Sequence, residues 1–172
     1  VRQSYARDQR RAERRSDQTE QRVKRLPALY SLATQQPDKT LLAHYDVNKR
    51  LLREIAARCA EEGAEFLLVN IPFVYHPQQV EELRNINATF DPRYFDRDLG
   101  AFAEAEYMHY LGLQAPFEDR LSQTGESLNW GKWNQGHWNY AGHRLVADLL
   151  QERIQQLTAL QPSTAAQQHG SN

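Results

Sequence analysis

The sequence predicts a three-layer α/β fold in which a mostly parallel sheet is flanked by helices. Three observations carry that expectation. A helical apolar period over 40–63 passes through a glycine into an almost unbroken apolar stretch, Glu65-Phe-Leu-Leu-Val-Asn-Ile71, which reads as a strand buried on both faces. A second short apolar segment, Tyr110–Gln114, follows the loop and helix pattern of residues 73–108 and suits another strand. A long amphipathic helix then closes the readable pattern, so that helix and strand alternate.

The chain of 172 residues is long enough for one domain with a real core. Residues 1–25, VRQSYARDQRRAERRSDQTEQRVKR, hold nine Lys/Arg against four Asp/Glu, net +5, leaving 12 basic against 18 acidic side chains, net −6, in the remainder. Arginine interleaved with Asp and Glu, with few aromatics, reads as a solvated face, and no nucleic-acid partner is expected. Residues 1–36 are thus a basic polar helix or arm plus a linker: LPALYSLA at 26–33 is apolar enough to dock, and QQPDK breaks the chain. No run approaches the roughly 20 apolar residues that span a bilayer. A single cysteine, Cys59, excludes an internal disulfide and a cysteine-based zinc site.

The spacing predicts a helix from Thr40 to Gly63, with Leu41, Leu42, Tyr45, Leu52, Ile55, Ala56 and Cys59 on its apolar side. Gly63 supplies the stop, because a residue without Cβ takes the left-handed conformation that closes a helix. Pro72 ends the strand that follows, having no N–H for a sheet ladder. PQQVEELRNI and FDRDLGAFAEAEYM carry helical spacing, the latter through Phe95, Leu99 and Phe102. A helical turn is expected at 116–121 and loop over 122–138. A final helix is expected from Asn139 to about Leu160, its buried stripe being Ala141, Leu145, Val146, Leu149, Leu150, Ile154 and Leu157. The polar residues 161–172 are expected to form a disordered tail.

The chemistry concentrates in NQGHWNYAGH, residues 134–143. Asn139 is placed to cap the final helix by accepting from a free N–H of its first turn. His137, just before that cap, is the candidate general base, since an imidazole held at a rigid helix entrance can be aimed at a substrate. Packing and capping alone would also account for His137 and His143. The six-residue separation of these two histidines does not suit a shared metal on one helical face, and a third ligand would have to be His109 or Asp119 brought in by folding; neither metal nor cofactor is expected. Trp130, Trp133, Trp138 and Tyr140 cluster around the glycines, as in modules that stack sugar rings or methylated groups, and a hydrophobic lid over the core would account for them as well.

GHWNYAGHRLVADLL resembles the C-terminal block of the SGNH, or GDSL-type, hydrolases and acyltransferases. DVNKRLLREIAARCAEEGAEFLLVNIP is similar to that family's preceding helix and strand, and FEDRLSQTGESLNWGKWNQGHW to its variable loop; together these cover roughly residues 40–155. The resemblance implies a partial SGNH-hydrolase-like domain over 37–160 and ester hydrolysis or acyl transfer by a serine nucleophile. It implies His137 as the catalytic base and Asn134 in the orienting position, where the family has aspartate. Trp133, Trp138 and Asn139 are the expected substrate-binding residues, and the expected substrate is a small-molecule or carbohydrate ester. The family's Gly-Asp-Ser-type turn has no counterpart around Ser4, Ser16, Ser31, Ser122 or Ser127. The serine is therefore expected from an N-terminal segment, and the exposed sheet edge from such a small sheet is expected to be covered by that segment or by a homodimer partner.

Overall fold

The computed structural model describes residues 28–130 and 137–159. The basic stretch 1–25 and the tail 161–172 lie outside them. Ala28–Ala33 forms a 3-10 turn, followed by helix α1 (Lys39–Glu61), strand β1 (Leu67–Asn70), α2 (Pro77–Ile86), α3 (Tyr94–Ala105), strand β2 (His109–Gly112), α4 (Gln114–Thr124) and α5 (Tyr140–Ala159). The described residues are mixed α/β and mostly helical, and their sheet consists of β1 and β2, paired in parallel from Leu67 opposite His109 to Asn70 opposite Gly112. No described helix is long and apolar enough to cross a membrane.

Local chemistry explains most of the boundaries. Asp38 caps α1 by accepting from the Leu41 N–H at 2.9 Å. Beyond its last turn, Gly63 sits at φ +72° while its N–H donates to the Ala60 carbonyl and that of Ala64 donates to Cys59. This is the paired-bond helix stop that favours glycine. Pro77 stands in the first turn of α2, where its missing N–H costs nothing.

Two apolar clusters hold the elements together. Tyr75, Leu113, Phe117, Leu128, Leu145 and Val146 form the first, joined by Val69 and Leu111 from the strands. Ala33, Val74, Leu83 and Phe90 form the second, with Tyr30 and Phe73 against them. The described part of the 26–33 stretch, residues 28–33, therefore docks as the composition indicates, since Leu32 and Ala33 are buried. Helix α1 has no fully buried residue. It leans on α3 through charge and rings instead: Lys49 pairs with Asp98 at 2.5 Å while lying over the rings of Tyr45 and Phe102, and Arg53 pairs with Glu106.

Three expectations change. The segment expected as a turn at 116–121 is a full helix, and β2 ends at Gly112 instead of reaching Gln114. The reason is tertiary: Asp96, at the start of α3, accepts from the Gln114 backbone N–H at 3.0 Å and so starts α4 there. Ile55 and Ile154, both placed on buried stripes, are about half exposed, at 50% and 52%. The stripes encoded on α1 and α5 are longer than the described core that meets them.

Candidate functional site

The described part of the histidine segment is the stem of a hairpin. Asn129 and Trp138 form an antiparallel bridge. The Trp130 N–H donates to the His137 carbonyl at 3.0 Å, and the Asn139 N–H to the Leu128 carbonyl at 2.9 Å. His137 thus has its backbone clamped while its side chain is exposed. Asn134 and Trp133 lie outside the described residues.

Asn139 does what its position predicts. Its Oδ1 accepts from the Gly142 N–H at 2.9 Å, which caps α5, while its Nδ2 donates to the Ser127 carbonyl at 2.6 Å. One side chain therefore ties the stem to the helix entrance. Trp138 turns the other way: its ring packs on Phe117 at 5.6 Å between centroids and on His143 at the same distance, half-buried at the edge of the first cluster. Among the described aromatics of the segment, Trp130 and Tyr140 are exposed, their rings near-perpendicular at 5.5 Å between centroids.

Sequence reasoning missed the residue that anchors this stem to the sheet. Tyr75, in the loop after β1, is buried; its hydroxyl donates to Asn129 Oδ1 at 2.6 Å and accepts from the Leu128 N–H at 3.1 Å. Burial raises its pKa above the ordinary phenol value, against the opposing pull of the Leu128 N–H. The His137 stem is therefore fastened at the carboxyl side of β1, where open α/β sheets gather ligand-binding loops.

A second network joins the carboxyl ends of both strands. Asp96 accepts from Asn70 Nδ2, from the Tyr110 hydroxyl at 3.1 Å and from the Gln114 N–H. Gln114, 2% exposed, donates through Nε2 to the Val74 carbonyl at 2.6 Å and to Glu118 at 2.7 Å. Asn70, at the end of β1, is thereby a structural tie. Tyr110 is held protonated above the ordinary range by burial first, then by the adjacent Asp96 carboxylate.

A groove of about 830 Å³ opens between α2 and α4, lined by Val80, Arg84, Arg93, Glu118 and Leu121, with Tyr75 at its border. Arg93 and Glu118 pair across it at 2.5 Å. The described residues of the His137 stem do not line this groove; Tyr75 is their shared neighbour.

Among the described residues no three His, Cys, Asp or Glu side chains are grouped to hold a metal. His109 meets Glu65 at 3.1 Å, and His143 lies against Trp138. The Ser31 hydroxyl accepts from the Asp38 N–H, and the Ser127 hydroxyl is engaged with the Asn129 backbone. Neither is set against His137. Comparison with protein-family models, curated proteins and solved structures finds no match to this chain.

Proposed function

We propose that this chain forms the C-terminal portion of an SGNH-type three-layer α/β domain that hydrolyses or transfers an acyl ester, with His137 as general base toward a serine on polypeptide outside the described residues. The observation that carries the reading is the solvent-facing imidazole on a backbone-clamped stem, fastened at the carboxyl side of a parallel strand. In the reaction the serine Oγ attacks the ester carbonyl as its proton passes to a His137 ring nitrogen. His137 then returns that proton to the departing alcohol oxygen, leaving an acyl-serine. Water or a second hydroxyl takes the acyl group in turn, again through His137.

By the resemblance, Asn134 stands at the sequence position where the orienting residue is expected. Its amide oxygen can accept the other ring N–H but brings no negative charge against the imidazolium. The half-exposed apolar side chains of α1 and α5 support a domain with a further layer: Val47, Leu51 and Ile55 follow one another at four-residue spacing on α1. The preceding part of the same protein or a second copy supplies that cover.

A non-catalytic carbohydrate-binding module is the second reading, favoured by the exposure of Trp130 and Tyr140. Turnover of p-nitrophenyl acetate by the intact gene product separates the two. The esterase reading expects His137→Ala to lower turnover by about 10²–10⁴-fold with unchanged circular dichroism. Equal turnover in the variant would remove it.

A further inference from the structure

We propose that Trp130 and Tyr140 form an aromatic platform on which a pyranose ring of the ester substrate stacks beside His137. This rests on the acyl-ester reading for its chemistry, though not for the binding itself. The isolated bridge between Asn129 and Trp138, continued by the Trp130 N–H donating to the His137 carbonyl, sets Trp130 opposite His137 by register. Opposed residues of an antiparallel pair share a face with Cβ atoms about 5 Å apart. Tyr140, in the first turn of α5, sets its ring at 82° to the Trp130 indole. The two rings make a corner on the stem that carries His137.

Both rings are displayed to water, Trp130 at 67% and Tyr140 at 83% exposure. They are not needed for the described core, which takes Trp138 from the same segment instead. Three features point to a sugar. A pyranose offers an apolar C–H face to an aromatic ring and a rim of hydroxyls to polar neighbours, and the exposed His137 stands opposite Trp130 by register. Two side chains are far less than the roughly 800 Å² per partner of a stable protein interface. An anionic membrane is disfavoured by the net −6 of the chain beyond residue 25. An acyl group on a hydroxyl of the stacked ring would then lie within reach of His137.

The test is a titration of the intact protein followed through its indole N–H resonances, with Trp130 assigned by Trp130→Phe. The probes are hexasaccharides of β-1,4-linked glucose, xylose and N-acetylglucosamine, each with and without O-acetylation, and vesicles of phosphatidylcholine with phosphatidylglycerol. At least one sugar is expected to move the Trp130 signal and leave Trp138 in place. Trp130→Ala and Tyr140→Ala are each expected to weaken its Kd by about five- to tenfold. Silence across the sugar panel, or a response to vesicles alone, overturns the platform. Sugar binding is read without turnover, so its failure beside His137-dependent cleavage of p-nitrophenyl acetate would remove the platform and leave the esterase. The converse pair of results would leave a carbohydrate-binding module.

Discussion

Gly142 lies so close to the Leu128 carbonyl that a Cβ built on it would stand 2.4 Å from the oxygen and 3.1 Å from Trp138 Cβ. The glycine lets the first turn of α5 sit directly on the hairpin stem that carries His137. Gly142→Ala is expected to push helix and stem apart and to cost about 1–3 kcal/mol. Urea unfolding checks it: an unchanged midpoint would show that the stem does not need this contact.

Tyr75→Phe removes the hydroxyl that receives the buried Leu128 N–H and binds Asn129. An unsatisfied buried donor costs about 1–3 kcal/mol. The expected outcome is that loss in urea unfolding, with amide exchange faster at Leu128 and Trp130 than in the sheet.

Asp96 gathers Asn70, Tyr110 and Gln114 at the strand ends, and a Cβ at Gly112 would meet its Oδ2 at 2.7 Å. Asp96→Ala is expected to destabilise by about 2 kcal/mol, mainly by orphaning the Gln114 N–H at the start of α4. Gly112→Ala should act in the same direction, and a neutral result for both would take the hub out of the folding account.

Alkaline pH gives a separate test. Tyr45 and Tyr110 have phenol pKa values raised, first by burial and then by Asp98 and Asp96 respectively. A raised folded-state value means that stability is fully present below the unfolded phenol pKa of about 10 and is lost as pH rises through the folded value. Phenolate absorbance is expected to show a late-titrating class that collapses to ordinary titration in denaturant. Identical curves for folded and denatured protein would contradict this.

What was legible in the sequence was local. Gly63, Pro77 and Asn139 each end or start a helix by a mechanism that depends on immediate neighbours, and the apolar run before Pro72 contains β1. What was hidden depended on distant partners. Nothing near Gln114 announces that Asp96 will start its helix, and nothing near Tyr75 announces Asn129. Aromatic type alone also failed to say which indole faces out: Trp138 was expected at the substrate and packs on Phe117, while Trp130 is exposed. Only the ladder register separates them. Ile55 and Ile154 carry the right spacing for burial, yet the described residues leave them half in water.

The most direct test of His137 as a base toward an outside serine is labelling of the intact gene product with a fluorophosphonate, read by peptide mass spectrometry. One labelled serine is expected outside residues 28–130 and 137–159, with labelling suppressed by about 10²-fold or more in His137→Ala. No labelled serine, or equal labelling in the variant, would contradict it.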